Sequence, residues 1–124
     1  MDFNLHTLND AFAEIDKHCQ KHHLPETECY NIRLVCEELI VNLLKHTTAT
    51  SYHLNLSQEN GLTLIRIGYQ ANEFNPSVVP EKKNKPVEEM EYGGLGLLLV
   101  NSLAKKIHYH YDPKQSLNVI QITL

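Results

Sequence analysis

Two side chains in the middle of the sequence, Glu38 and Asn42, have types and a spacing suited to phosphate chemistry. They lie four residues apart in the segment EELIVN, residues 37–42, so on a helix they would share one face, one turn apart. A carboxylate can accept a proton or orient a hydroxyl, and an amide oxygen can ligate a hard cation such as Mg²⁺. Glu and Asn are also common on solvated helix surfaces, so the pair indicates a functional site only together with a second feature.

The second feature is the glycine-rich segment Gly93-Gly94-Leu95-Gly96-Leu97, which we expect to precede a helix over residues 97–106. Glycines let a backbone approach a ligand closely, and a helix start offers unpaired N–H groups and a positive dipole end that suit a phosphate. The segment is not a Walker A motif, since no GK[ST] follows, nor a dinucleotide-binding GxGxxG, since the third glycine is missing. A hinge and helix cap without a ligand is the alternative.

Two helices are predicted in the first half of the chain. Thr7 is a suitable N-cap for a helix from Leu8 to about His22,. A longer helix should begin between residues 25 and 27 and end near Lys45 and His46, whose positive charge suits a helix C-terminus. Its apolar stripe comprises Cys29, Ile32, Cys36, Leu39, Ile40, Leu43 and Leu44.

Strand patterns surround the glycine-rich segment on both sides. Residues 52–57 alternate between apolar and polar side chains, and Asn60-Gly61 is a hairpin turn signal before a partner strand over 62–69,. Two final strands are predicted at 107–111 and 117–124, joined by Asp112-Pro113. The order predicts a single α+β domain, residues 1–124, built as a two-layer sandwich with a mixed, mostly antiparallel sheet and helices on one face.

Residues 70–92 carry no periodic pattern and contain Pro76, Pro80 and Pro86. A loop of this length in a small domain is often a functional lid. Its lysines, Lys82, Lys83 and Lys85, would either add positive charge near a phosphate or remain solvated.

Composition and charge exclude several classes of protein. The 124 residues carry a net charge of −4, which argues against a general nucleic-acid binder. No apolar run approaches a membrane span of roughly 20 residues, and the first residues lack the pattern of a signal peptide. Three cysteines without a CxxC pair predict reduced thiols in a cytoplasmic protein, with Cys29 and Cys36 as buried packing residues,. His108 and His110 would share one strand face, with no third metal ligand close in sequence.

Taken together and in this order, the EELIVN helix, the hairpin, the loop and YGGLGLLLVN resemble the anti-sigma-factor serine kinases of the GHKL (Bergerat-fold) ATPase superfamily. Those proteins carry a Glu-x-x-x-Asn box on a helix and, after a lid, a Gly-Leu-Gly-Leu box. The Lys45-His46 pair and Asn118-Val119 at the start of the last strand are also similar to that family. The resemblance covers nearly the whole chain.

The resemblance implies a set of roles for individual residues. Asn42 would hold the Mg²⁺ that bridges the phosphates of ATP, and Glu38 would be the base for the attacking hydroxyl. Gly94, Leu95 and Gly96 would hold phosphates through backbone N–H groups, with His46 and the Leu97 amide close by. The implied partners are a sigma factor and a STAS-type antagonist phosphorylated on Ser or Thr, with a homodimer as a further possibility and no direct role for nucleic acid or membrane.

One motif of the family is altered in this sequence. The family has an Asp-x-Gly box before the lid, and aligning Phe74 and Pro76 with its Phe-Asp-Pro places Tyr69 and Ala71 at the Asp and Gly positions. In the family, that Asp accepts a hydrogen bond from the adenine amino group. Two functions therefore stay open: a kinase that retains ATP and Mg²⁺, and a binding module that regulates a protein partner without a nucleotide.

Overall fold

The computed structural model describes residues 1–78 and 92–124, with the backbone alone for 92–95. The three lid lysines lie outside the described residues. Within the described part no helix is long and apolar enough to cross a membrane. The helices and strands are α1 (Leu8–His22), α2 (Glu26–His46), β1 (His53–Glu59), β2 (Leu62–Gln70), α3 (Tyr92–Leu103), β3 (Lys106–Asp112) and β4 (Leu117–Thr123).

Both predicted helix starts in the first half are confirmed. The Thr7 hydroxyl accepts a hydrogen bond from the Asp10 amide at 3.2 Å, and the Asp10 carboxylate accepts one from the Thr7 amide at 3.0 Å. This reciprocal capping box satisfies two N–H groups that the first turn of α1 cannot pair internally. Pro25 is the N-cap of α2, whose C-terminal residue is His46.

The sheet has the strand order β1-β2-β4-β3. The prediction of an α+β fold with a mostly antiparallel sheet is confirmed, and all three pairings of the described strands are antiparallel. The short turns β1–β2 and β3–β4 can connect only antiparallel neighbours. Asn60 and Gly61 have φ angles of 52° and 78°, as the predicted hairpin turn requires.

The core lies between one face of the sheet and the helices. Alternate residues of β2 and β4 supply the sheet side, where Ile65 is paired with Ile122 and Ile67 with Ile120, all four fully buried. The helical side is supplied mainly by α2, with Ile32, Val35, Cys36, Leu39, Ile40 and Leu43 fully buried. The opposite sheet face is polar and exposed, for example at Arg66, His108 and Gln121.

The predicted bounds of the third helix are wrong at both ends. α3 begins at Tyr92, five residues before the predicted start at Leu97, so the glycines belong to the helix. It ends at Leu103, because Lys106 already pairs with Thr123 in the sheet. Glycine lowers helix stability by roughly 1 kcal/mol relative to alanine, so the segment was predicted as non-helical. Packing against α2 requires a glycine at position 96, as the site geometry shows.

The prediction of three reduced thiols is also wrong. Cys19 near the end of α1 and Cys29 near the start of α2 form a disulfide, with Cα atoms 6.1 Å apart. Both residues are half-buried, whereas Cys36 is a fully buried free thiol whose pKa is raised by burial to about 12. The short turn between α1 and α2 brings the two half-buried cysteines together, which their spacing of ten residues did not indicate.

Candidate functional site

Glu38 and Asn42 both lie on a buried side of α2, and each is 8% exposed. They are therefore not the solvated helix-surface residues of the alternative interpretation. Each side chain is covered by a different part of the chain: Glu38 by α3, and Asn42 by the segment that follows β2.

The Glu38 carboxyl group packs directly against Gly96 of α3. A Cβ atom added at Gly96 would lie 2.0 Å from both the carboxyl carbon and Oε2 of Glu38, so no larger residue fits there while Glu38 keeps this position. Burial, and secondly the neighbouring Glu37 charge, raise the pKa of Glu38. A carboxyl group whose pKa is raised suits a proton acceptor better than an ordinary surface glutamate does.

Asn42 and Asn101 hold the backbone of the segment after β2. The Asn42 Nδ2 group donates to the Pro76 carbonyl oxygen at 3.1 Å. The Asn101 Nδ2 group donates to the Ser77 carbonyl oxygen at 3.1 Å and to that of Leu97 at 2.8 Å. The Asn42 side chain uses its Nδ2 group in this contact. Its Oδ1 atom accepts no hydrogen bond within the described part of the chain, so Oδ1 is the atom that could ligate a cation.

Tyr69, which the sequence pattern predicts at the position of the family's adenine-binding Asp, is a core residue. It is fully buried, its hydroxyl donates to the Phe74 carbonyl oxygen, and burial raises its pKa above the ordinary value. Ala71, at the position of the family's Gly, is 8% exposed. The phenol therefore fills space beside β2 and fixes the chain five residues further on.

Asn118 holds the same segment from the neighbouring strand. Its side chain is fully buried. Its Nδ2 group donates to the carbonyl oxygens of Ala71 and Asn72, both at 3.3 Å, and its Oδ1 atom accepts from the Phe74 amide at 2.9 Å and the Tyr109 hydroxyl at 2.5 Å. Residues 71–74 are thus held by hydrogen bonds across the end of the sheet.

The predicted residue His46 lies at the exposed end of α2. Its ring centroid is 5.7 Å from that of Phe74. The two rings border a cleft of about 340 Å³, lined by Lys45, His46, Thr47, Thr48, Asn72, Glu73 and Phe74. This cleft places two basic side chains beside the segment that Asn118 holds.

The glycine-rich residues divide between the first turn and the body of α3. Gly94 and Leu95 lie in the first turn, where backbone N–H groups have no intrahelical acceptor. Gly96 and Leu97 follow, where an α-helical N–H bonds to the carbonyl four residues earlier. Leu97 is 2% exposed and belongs to the core. The structure thus brings Gly96 to Glu38, while His46 lies one turn beyond Asn42 at the exposed C-terminal end of α2.

The residues fit the two halves of ATP·Mg²⁺ unequally. On the phosphate side, the chain offers the Asn42 carbonyl oxygen, the Glu38 carboxylate and the start of α3. On the base side, Tyr69 supplies a buried phenol instead of a carboxylate, and residues 71–74 are held by Asn118. Tyr69 and Asn118 already form hydrogen bonds with the chain's own backbone.

Asn101, Tyr109 and the clamping role of Asn118 were missed by the sequence reasoning. Asn118 had a detectable signal, because it lies in phase with the buried residues Ile120 and Ile122 on β4, and a polar residue at a core position needs hydrogen-bond partners. Asn101 on a largely apolar helix had a weaker signal of the same kind. Their acceptors are backbone atoms of an irregular segment, which no side-chain pattern specifies.

The contact between Glu38 and Gly96 can be tested by Gly96→Ala. The new methyl group should displace the Glu38 carboxylate toward solvent, so the raised pKa of Glu38 should fall toward that of an ordinary glutamate. NMR titration of the Glu38 carboxyl carbon measures this pKa. The control is Leu98→Ala, since Leu98 is 46% exposed on the same helix and its truncation should leave the Glu38 pKa unchanged. An unchanged pKa in Gly96→Ala would show that the contact is wrong.

Comparison with known proteins agrees with this fold. The family model for the histidine kinase-like ATPase domain matches residues 2–124. One curated relative, the serine-protein kinase RsbW of Halalkalibacterium halodurans, is 27% identical over 92 residues, which cover 66% of this chain and 55% of the relative. The match therefore spans about half the length of that relative. Because the family model covers almost the whole chain, this protein belongs to the histidine kinase-like ATPase domain family.

Proposed function

We propose that this chain is an anti-sigma-type regulatory protein that binds ATP·Mg²⁺ and phosphorylates a Ser or Thr of a STAS-type antagonist. The observation that carries the proposal is the buried pair on α2, in which Glu38 contacts Gly96 and Asn42 contacts the segment after β2. Membership of the ATPase domain family and similarity to a serine-protein kinase support it. In this function the protein would act in the cytoplasm, bind a sigma factor, and work as a monomer or a homodimer.

Each residue on the phosphate side, namely Asn42, Glu38 and those at the start of α3, has a defined role in the proposed function. The Asn42 carbonyl oxygen would ligate Mg²⁺, which would neutralise phosphate charge. Glu38 would accept the proton of the attacking hydroxyl, a role favoured by its raised pKa,. Backbone N–H groups of Gly94 and Leu95 would bind phosphate oxygens at the start of α3, with Gly96 and Leu97 behind them. Phosphoryl transfer depends mainly on such positioning and charge stabilisation.

The residues on the base side lower the expected affinity and selectivity for the nucleotide. With Tyr69 buried and residues 71–74 tied to Asn118, recognition should depend mainly on the phosphates and the metal. Loss of a buried hydrogen bond to the base costs roughly 1.5–3 kcal/mol, or one to two decades in affinity. We therefore propose weak nucleotide binding with little preference between adenine and guanine.

A second candidate function is favoured by the hydrogen bonds that hold the segment after β2. If residues 71–78 keep their hydrogen bonds to Asn42, Asn101 and Asn118, the protein would be a binding module that regulates a protein partner without nucleotide or catalysis. The two candidates differ in whether ATP·Mg²⁺ binds at all.

Calorimetric titration with ATP and GTP, with and without Mg²⁺, separates the two functions. The proposal predicts Mg²⁺-dependent binding with dissociation constants between about 1 μM and 1 mM and similar values for both nucleotides. Asn42→Ala should remove the Mg²⁺ dependence, because the metal loses its side-chain ligand. The matched control is Asn31→Ala, on the same helix at the border of a separate cavity. Absence of heat at millimolar nucleotide favours the binding module.

The same titration tests why base selectivity is low. The double variant Tyr69→Asp/Ala71→Gly restores the carboxylate acceptor and the glycine of the family motif. It should bind ATP more tightly while leaving GTP unchanged, since adenine alone offers an amino donor at that position. An equal gain for GTP would mean that the base pocket is closed for another reason.

Phosphate transfer tests the role of Glu38. With labelled ATP and a STAS-type protein as acceptor, Glu38→Gln should reduce the rate of transfer by two or more decades, because a positioned acid–base group typically contributes about 10²–10⁴-fold. Nucleotide affinity should be nearly unchanged, because the amide keeps the shape of the side chain. The matched control is Glu37→Gln, an exposed neighbour that should keep the wild-type rate. An undiminished rate in Glu38→Gln would refute its role as a base.

A further inference from the structure

The disulfide between Cys19 and Cys29 joins the end of α1 to the start of α2. Both side chains are half-buried, so small molecules in the solvent can reach their sulfur atoms. The third cysteine, Cys36, is fully buried, and burial raises the pKa of its thiol to about 12. Because thiol–disulfide exchange needs an accessible sulfur and a thiolate, the folded chain can exchange at Cys19 and Cys29 but not at Cys36.

A cleft between α1 and α2 leads to one of these two sulfurs. Its volume is about 370 Å³, and its walls include Phe12 and Asp16 of α1 and Glu26, Cys29, Arg33 and Glu37 of α2. A single water molecule needs roughly 15 Å³ of cavity, so a small organic thiol fits. Cys29 borders this cleft and Cys19 does not, so the two ends of the disulfide differ in access.

Among the residues that the structure describes, the cleft carries three acidic side chains and one basic side chain. The carboxylates of Asp16, Glu26 and Glu37 are exposed at its rim. The Arg33 guanidinium carbon lies 4.5 Å from the centroid of the Phe12 ring. This net negative charge disfavours the approach of an anionic thiol and favours a neutral or cationic one. Since the charged groups are exposed, the preference should weaken as salt is added.

The turn between the two helices does not depend on the bond between the sulfurs. The Leu24 amide donates to the Cys19 carbonyl oxygen at 3.1 Å, and the His23 amide donates to the Gln20 carbonyl oxygen at 3.3 Å. These bonds end α1 with His23 in the left-handed conformation, at a φ of 51°,. The Cys29 sulfur lies 3.8 Å from the Leu24 carbonyl oxygen, which gives a reduced Cys29 thiol an acceptor. Opening the disulfide can therefore leave both helix ends in place.

We propose that Cys19 and Cys29 are a reversible redox site, opened by a neutral or cationic low-molecular-weight thiol that enters the cleft and attacks Cys29 Sγ. This site goes beyond the function proposed above and does not depend on nucleotide binding, because it involves neither Glu38 nor Asn42. Reducing surroundings hold the dithiol form, and small disulfides restore the closed form. The covalent link between α1 and α2 thus follows the redox state of the surroundings.

Two exchange steps account for the opening. A thiolate of the small thiol attacks Cys29 Sγ, which forms a mixed disulfide at Cys29 and releases Cys19 as a thiolate. A second small thiolate attacks the small molecule's sulfur in that mixed disulfide, which releases Cys29 as a thiolate and forms the small disulfide. The protons given up by the two small thiols pass to Cys19 and Cys29. Two small thiols are thus oxidised while one protein disulfide is reduced, and closure is the reverse reaction with the small disulfide as oxidant.

Reversibility is tested on the wild-type chain with cysteamine, a cationic thiol, and cystamine, its disulfide. After treatment of the folded chain with cystamine, acid quenching and unfolding, one thiol should remain for alkylation, that of Cys36. After millimolar cysteamine, three thiols should be alkylated. The midpoint of thermal unfolding should be about 5–15 °C lower for the dithiol form, because its unfolded chain is no longer constrained by the closed loop.

Serine variants test which sulfur is attacked. Because opening and closure pass through the same mixed disulfide, the cysteine beside the cleft should react faster with cystamine. In Cys19→Ser, the remaining Cys29 should take up one cysteamine at least about tenfold faster than Cys19 does in Cys29→Ser. Intact-protein mass spectrometry measures both rates. Cys36→Ser is the control, since replacing the fully buried thiol should change neither closure nor opening.

Charge variants test the preference for the small thiol. In the Cys19→Ser chain at low ionic strength, the rate with cystamine is divided by the rate with oxidised glutathione, which is anionic. Adding Glu26→Gln should lower this ratio about twofold or more, because one carboxylate of the cleft is lost. The matched control is Glu14→Gln, an exposed α1 residue that borders a different cavity, which should leave the ratio unchanged. A ratio that Glu26→Gln does not alter would refute the charge preference.

Three results would overturn the redox site: a wild-type chain that keeps three alkylatable thiols after cystamine, a disulfide that cysteamine does not open in the folded chain, or equal rates at Cys19 and Cys29. If a serine variant fails to fold, the wild-type chain answers the last question. Acid quenching during the opening reaction, followed by peptide mapping, should then place cysteamine on Cys29, and its location on Cys19 would contradict the proposal.

Discussion

The buried side chain of Asn118 is the interaction on which the arrangement of the site depends. It is fully buried between the sheet and the segment after β2, and it holds that segment at Ala71, Asn72 and Phe74. A polar group can be buried at low cost only if its donors and acceptors are paired. Because the partners of Asn118 are backbone groups, the irregular segment acquires a fixed path across the end of the sheet. Tyr69 reinforces this path through its hydroxyl.

This fixed path divides the site into two halves with different chemistry. On one side, Glu38 and Asn42 of α2 face α3 and the segment after β2. On the other side, Tyr69 and Asn118 form hydrogen bonds with the segment after β2. In the function proposed for this member of the ATPase domain family, such a division would keep phosphate and metal contacts while lowering selectivity for the base.

Local chemistry explains what the sequence could predict. The Thr7 capping box and the Asn60-Gly61 turn are encoded by neighbouring residues, so the elements beside them were placed correctly. The start of α3 was predicted wrongly because the glycine at position 96 is required by its contact with Glu38 on α2. No pattern in the neighbouring sequence indicates that contact. The Cys19–Cys29 pair was missed for the same reason. The hydrogen bonds from Asn42, Asn101 and Asn118 to the segment after β2 were not predicted, because their partners are backbone atoms. Backbone atoms are the same in every residue and leave no pattern in the sequence.

The most direct test of the clamp is amide hydrogen exchange at Phe74, whose N–H is the donor to Asn118 Oδ1 at 2.9 Å. If the segment is held as described, this amide exchanges at least about 100-fold more slowly than in an unfolded chain. The Phe74 N–H also donates to the Tyr109 hydroxyl at 3.1 Å, so the double variant Asn118→Ala/Tyr109→Phe, which removes both acceptors, should remove the protection. Asn72→Ala, which truncates an exposed side chain on the same segment, should keep it. Exchange of the wild-type Phe74 amide at the rate of an unfolded chain would contradict the account.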